Sequence, residues 1–209
     1  WCPDYSLSLE PAAQLEISIV PCHNAEEIRE IYCGFRSHID PVLDEFGYEL
    51  VTKGYQPVSK ADELEIIPKQ RYELMDRYFN SIGPWGKRMM RGTASTQVSV
   101  DYYSEKDFTD KYMVFYTLIP VMGLLFEDTP VFDGRPYKGH LLRQRIWNGT
   151  DPLRVDIQPY IRNGRIDFED YLHFVMNAPI IVKKTDNEEY FSDVETLCET
   201  KLDGSDRTV

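Results

Sequence analysis

The hydrophobic period of this chain switches repeatedly between two and three-to-four, which restricts it to strands and helices sharing a core. Leu15, Ile17 and Ile19 alternate with Gln14, Glu16 and Ser18, the pattern of a strand with one apolar and one polar face. A turn at Pro11, Ala12 and Ala13 precedes it, so residues 5 to 20 read as a hairpin in which Glu10 and Glu16 share the polar face. Ile28, Ile31, Tyr32, Phe35, Ile39, Val42, Leu43 and Phe46 then recur at helical spacing. They follow an Asn24 cap with Glu27 at the third helical position, and the helix ends near Gly47 with a kink at Pro41. Residues 52 to 68 read as a loop, and Tyr72, Met75, Phe79 and Ile82 mark a helix closed by Gly83. Strict alternation predicts a strand from Thr96 to Tyr103. Ser104 with Asp107 then opens a helix whose buried stripe is Phe108, Tyr112, Phe115, Tyr116 and Ile119. Leu141 to Trp147 reads as a strand placing Arg143 and Arg145 on one face, opposite Leu142 and Ile146. A last helix starts at Asp167, and a short strand covers 180 to 183. Hairpin-grouped strands interrupted by helices, without regular βαβ alternation, predict an α+β fold with an antiparallel sheet.

Composition narrows the partners. With 42% hydrophobic and 13% aromatic residues, the 209-residue chain can bury a core. Its 35 acidic and 23 basic side chains leave a net charge of −12, which disfavours nucleic acid and anionic membrane surfaces. No stretch approaches the ~18 consecutive apolar residues of a membrane span. The first residue is Trp1 and no basic-then-apolar leader is visible, so the sequence reads as a piece of a longer chain. Cys2, Cys22, Cys33 and Cys198 are scattered without metal or disulfide spacing; four free thiols in a reducing compartment are expected, with the cytoplasm as the location. Residues 1–183 form the main body, and 184–209 an acidic, loosely held tail.

The sequence lacks a phosphate-binding P-loop, GxGxxG, HExxH and GxSxG, and its four histidines have no metal-ligand spacing. What remains are polar faces rich in carboxylates, hydroxyls and arginines. Carboxylates without His or Cys clusters suit hard divalent cations such as Mg²⁺ shared with phosphates, and arginines suit a bidentate grip on carboxylate or phosphate. In most sheets a polar face is only the solvent face, so spacing by itself carries little.

Three ordered segments carry more. Leu9-Glu10-Pro11-Ala12-Ala13-Gln14-Leu15-Glu16 comes first. Met89-Met90 followed by Thr93-Ala94-Ser95-Thr96-Gln97-Val98-Ser99-Val100-Asp101 comes second, and Arg143 through Ile146-Trp147 to Thr150-Asp151-Pro152-Leu153-Arg154 third. Together with the linking Pro68-Lys69-Gln70-Arg71-Tyr72 they resemble the plant and proteobacterial type of glutamate–cysteine ligase, over about residues 5 to 183. The resemblance implies the glutamine-synthetase-like carboxylate–amine ligase fold, a curved antiparallel sheet with helices on its outer side. It also implies ATP and Mg²⁺, with glutamate, cysteine and ATP as substrates and γ-glutamylcysteine as product, the first step of glutathione synthesis. Carried over by position, Glu10 and Glu16 serve the metal and glutamate site, and Arg143 is catalytic and grips substrate. Thr93, Ser95 and Gln97 line the glutamate pocket, and Arg154, which closes the Asp-Pro-x-Arg turn, binds substrate with them. An ion pair of Arg154 with Asp101 at a sheet end is the competing structural role, and Met89 and Met90 are core. Where the plant members have Arg before the Thr and Asn two residues after the Gln, this chain has Gly92 and Ser99, with Arg91 one place early. The resemblance also implies a metal-binding Glu-x-Glu ahead of Trp1 and further segments beyond Val209. A relative acting on another amine, or a non-catalytic ligase-like domain binding an amino acid or protein partner, is the alternative.

Overall fold

Local chemistry sets most of the elements. The computed structural model describes residues 3–185, 188–191 and 207–208. Strands β1 (Tyr5–Leu9) and β2 (Leu15–Ile19) pair antiparallel with Ser8 opposite Glu16, as the alternation predicts. Helix α1 (Ala25–Glu45) starts where expected: Asn24 accepts from the Glu27 N–H at 3.0 Å, while Glu27 accepts from the His23 N–H at 2.8 Å. It stops at Gly47, whose φ of 70° is the left-handed conformation that ends helices. Helix α2 (Gln70–Ile82) is closed by Gly83.

Helix α3 (Trp85–Gly92) has no counterpart in the sequence reading, yet it organises the molecule. On one side Met90 joins Leu74, Phe79, Ile181 and Val182 in a buried cluster; on the other, Tyr55, Leu142 and Ile146 form a second cluster against Trp85, and Met89 touches both. Met89 and Met90 are thus core residues.

Helix α4 (Glu105–Leu125) opens at Ser104, which accepts from the Asp107 N–H at 3.2 Å. Only the first half of its predicted stripe packs. Phe108 and Tyr112 pack edge-to-face against Tyr171 of α7 (Phe168–Met176), whereas Phe115 and Ile119 are 55% and 42% exposed. Strands β3 (Val131–Phe132) and β4 (Arg135–Pro136) form a tight hairpin. The expected strand over Leu141–Trp147 is instead helix α5 (Leu142–Asn148). Leu142 and Ile146, four apart, satisfy either period, and in the helix both are buried while Arg143 and Arg145 diverge by about 200°. Helix α6 (Pro152–Val155) follows.

The second correction concerns 96–103, which forms no regular element; no strand pairs with it among the described residues, and Val98 stands 76% exposed. Alternation creates a surface that needs a neighbour for its backbone groups, and it cannot form a ladder without one. Strands β5 (Val182–Thr185), β6 (Glu188–Phe191) and β7 (Arg207–Thr208) make an antiparallel set in the order β6-β5-β7. Strand β5 crosses the expected boundary at 183, and the rest of the acidic tail lies outside the described residues. Cys22 and Cys33 are free thiols, whereas Cys2 and Cys198 lie outside the described residues. No helix among the described residues is long and apolar enough to cross a membrane.

Candidate functional site

The hairpin turn assembles two carboxylates. The Glu10 N–H donates to the Gln14 carbonyl and the Ala13 N–H to the Glu10 carbonyl, both at 2.9 Å, with Ala13 at a φ of 62°. This folds Glu10 back so that its carboxyl hydrogen-bonds that of Glu16. Partial burial raises the Glu10 pKa above the ordinary value, and the hydrogen bond and charge of Glu16 push it further, against the opposing pull of Arg71 and Lys69. Because the folded protein holds this proton more tightly than the unfolded chain, the Glu10 contribution to stability is present below the unfolded value of about 4.3. It is lost as pH rises through the folded one. Glu10→Gln is therefore expected to raise Tm over the wild type at pH 7 and to match it below about pH 4; a difference that does not change with pH would contradict this.

From the same turn the chain of contacts runs to α3. The Gln14 amide donates to the carbonyls of Met90 at 3.1 Å and Thr93 at 3.4 Å. Thr93 follows the last turn of α3, its hydroxyl donating to the Met89 carbonyl at 2.6 Å, and it bridges to Tyr55. The Ala94 N–H donates to the Gly54 carbonyl at 3.2 Å, and the Ala94 carbonyl accepts from Arg143 Nε at 3.1 Å. The Arg143 guanidinium lies over Trp147 at 5.3 Å, and burial lowers its pKa. Glu10, Glu16, Thr93 and Arg143 thus belong to one linked run of polar contacts.

The other sequence-derived residues stand apart from that run. Ser95 and Gln97 are exposed in the irregular segment after Ala94. Arg154 ion-pairs with Asp151 at 3.1 Å, donates to the Pro179 carbonyl and lies over the Tyr78 ring, so its partner is Asp151 rather than Asp101. Asp151 also accepts from Tyr78 Oη at 2.8 Å and caps α6. Sequence reasoning assigned no role to Gln14, Lys69 or Arg71. Lys69 and Arg71 flank the start of α2 and reach the field of Glu10, which their sign and their place in the Pro68–Tyr72 segment could have suggested.

A cavity of about 420 Å³ lies at the opposite, N-terminal end of α3. Two of its cations are already paired, Lys87 with Asp62 at 2.9 Å and Arg88 with Asp133 at 3.1 Å. Among the described residues no group of three or more His, Cys, Asp or Glu side chains is arranged to hold a metal. The Glu10–Glu16 pair still fits Mg²⁺, which is commonly held by one or two carboxylates with substrate phosphates and water completing six oxygens. The Glu10 pKa is raised in part by the charge of Glu16, which marks a place where an added positive charge is favoured.

Comparison with known proteins gives this geometry a context. The sequence profile of Glutamate-cysteine ligase family 2 matches residues 4–201. The chain is similar to the chloroplastic glutamate–cysteine ligase of Medicago truncatula, 32% identical over 178 residues, and to that of Arabidopsis thaliana, 31% identical over 178 residues. It is also similar to chloroplastic glutamate–cysteine ligase B of Oryza sativa subsp. japonica, 32% identical over 179 residues. Each match covers 84% of this chain, and the chain spans only about a third of each relative, 34%, 34% and 35% in turn. The chloroplastic relatives overturn the cytoplasmic expectation: unpaired thiols indicate a reducing compartment and do not say which one.

Proposed function

The chain belongs to Glutamate-cysteine ligase family 2, and on that premise we propose that in the intact protein it contributes to the ATP-dependent joining of the glutamate γ-carboxyl to the amine of cysteine. The observation that carries this reading is the linked run from Glu10 and Glu16 through Gln14 and Thr93 to Arg143. It sets two carboxylates and a partly buried guanidinium along one path, the groups needed to manage a phosphoryl transfer onto a carboxylate. A γ-carboxylate oxygen of glutamate attacks the γ-phosphorus of ATP and ADP leaves. The cysteine amine then attacks the acyl carbon, phosphate departs, and the amine loses a proton. Arg143 holds the glutamate carboxylate or the acyl phosphate, with Thr93, Ser95 and Gln97 lining the pocket. Arg154, held by Asp151, braces the α6 turn. Glu10 and Glu16 would hold Mg²⁺, which when bound neutralises charge on the transferred phosphoryl.

The fold assigned to the whole is the carboxylate–amine ligase fold, with the β1–β2 hairpin as part of its antiparallel sheet. The chloroplastic relatives favour a plastid location. Because the matched relatives are ligases, a non-catalytic binding role has less support.

The test is phosphate release from ATP by the intact protein with glutamate paired against cysteine and several other amines. Release should require glutamate and match the γ-glutamyl product mole for mole; glutamate-independent release would sink the reading, and a preference for another amine would reassign the acceptor. In the same assay Glu16→Gln should raise the Mg²⁺ half-saturation concentration and lower kcat with Tm nearly unchanged. A normal Mg²⁺ titration would remove Glu16 from the metal site.

A further inference from the structure

The C-terminal end of α3 has an unusual set of partners. The last carbonyls of a helix have no acceptor role within it and must be satisfied from outside. Here the Met89 carbonyl accepts from the Thr93 hydroxyl, and the Gly92 carbonyl accepts from the Gln56 N–H at 2.8 Å. The Met90 and Thr93 carbonyls both accept from the side-chain amide of Gln14, 76 and 79 residues away in the sequence. The other end of that amide is also occupied, since Gln14 Oε1 accepts from the Ala12 N–H at 2.8 Å, inside the turn that folds Glu10 onto Glu16. One side chain thus holds the carboxylate turn with its oxygen and the start of the 93–97 segment with its nitrogen.

The geometry points to Gln14 as a positioning residue that fixes the spacing between the Glu10–Glu16 pair and the Thr93–Gln97 segment. This rests on the ligase reading for its consequence in turnover, and on hydrogen bonds alone for its consequence in structure. The chemistry demands an amide at this place. A glutamate of the same shape would bring a carboxylate against two carbonyl oxygens at the negative end of a helix, whereas a methionine of similar length would supply no donor and only a weak acceptor. An aligned site loses about 100-fold in rate when a reacting group moves by about 1 Å. Gln14 touches no reacting atom, so its loss should act through the groups it holds.

The experiment compares Gln14→Met and Gln14→Glu with wild type in the intact protein. Three things are read: Tm, steady-state kinetics with glutamate and Mg²⁺ varied, and hydrogen–deuterium exchange at the Ala94 amide in the absence of any ligand. Both variants should lower kcat/KM for glutamate about 10- to 100-fold, with the glutamate KM and the Mg²⁺ half-saturation rising together. Exchange at Ala94 should quicken, and Gln14→Glu should do no better than Gln14→Met. A lower Tm with unchanged KM and Mg²⁺ requirement would make Gln14 a merely structural residue and overturn the proposal. If the wild type shows no glutamate-dependent phosphate release, the ligase reading fails by itself, and exchange then decides: an unchanged Ala94 amide in Gln14→Met overturns the positioning role. Should Gln14→Met not fold, Gln14→Asn keeps the amide one methylene short, and a wild-type glutamate KM and Ala94 exchange in it would refute the role equally.

Discussion

Arg143→Ala is expected to lower kcat/KM for glutamate about 10- to 150-fold, the loss of one charge-assisted hydrogen bond worth about 1.5 to 3 kcal/mol. The structure supplies the reason to choose this arginine. Its Nε is used by the Ala94 carbonyl and its face rests on Trp147, an arrangement that fixes the plane of the guanidinium. No further hydrogen bond of Arg143 is found among the described residues, so its terminal nitrogens remain available to an anion. Arg143→Lys should recover only part of the loss, because a point charge does not reproduce a planar fork and cannot keep the Ala94 contact while reaching substrate. Arg145 is the control. It lies about 200° around α5, with its guanidinium over Trp85 at 5.5 Å, and Arg145→Lys should cost about twofold or less. The alternating pattern puts both arginines on one strand face, with Arg143 at substrate and Arg145 a solvent-face or packing residue; the helix separates them onto different rings, Trp147 and Trp85. Steady-state kinetics on the three variants in the intact protein decide the matter, and equal small losses at both positions would detach Arg143 from the substrate.

What the sequence revealed follows the range of the interactions involved. The caps of α1 and α4, Asn24 with Glu27 and Ser104 with Asp107, depend on residues three apart and are legible, as is the start of α7 at Asp167. The β1–β2 hairpin was legible for the same reason, and with it the shared face of Glu10 and Glu16. Helix α3 was not: Pro84 offers no side-chain cap, and Gly86 and Gly92 lower its propensity, so it exists because Met89 and Met90 fill two cores at once. The helix over 142–148 was hidden by length, since a seven-residue segment with apolar residues four apart fits either period. The candidate site shows the same division. Parity found the carboxylate pair, whereas the reach of Gln14 to α3 is tertiary and leaves no trace in spacing.

Gly92 tests the structure at the position where the resemblance to the plant ligases implies an arginine. Restoring an arginine there is expected to cost upwards of about 4 kcal/mol, a large share of a domain's usual 5 to 15. A Cβ at Gly92 would lie 2.4 Å from Cε2 and 2.6 Å from Cζ of Tyr55. That ring cannot retreat: it is 1% exposed, its hydroxyl donates to Asp133 at 3.0 Å, and it packs against Phe132 at 5.3 Å. Nor can the backbone, since the Gly92 carbonyl takes the Gln56 N–H and Thr93 bridges Tyr55. For Gly92→Ala two effects compete. Helix propensity favours alanine by about 1 kcal/mol, but overpacking a rigid neighbour costs about 1 to 3 kcal/mol or more, and a contact this short puts the site at the upper end. A net loss of about 1 to 2 kcal/mol is expected from urea unfolding, and Gly92→Ala should become neutral or stabilising in a Tyr55→Ala background. Gly92→Ala at wild-type stability would mean that the Tyr55 ring is not where the structure puts it. Arg91 does not take over the missing role, because it donates to Asp76 at 2.6 Å and to the Leu64 carbonyl at 2.8 Å, a partner set that holds it within the α2–α3 junction. An aromatic ring fills the space where the resemblance implies a cation beside the threonine, so under the proposed ligase reading a substrate anion reaching Thr93 would depend the more on Arg143.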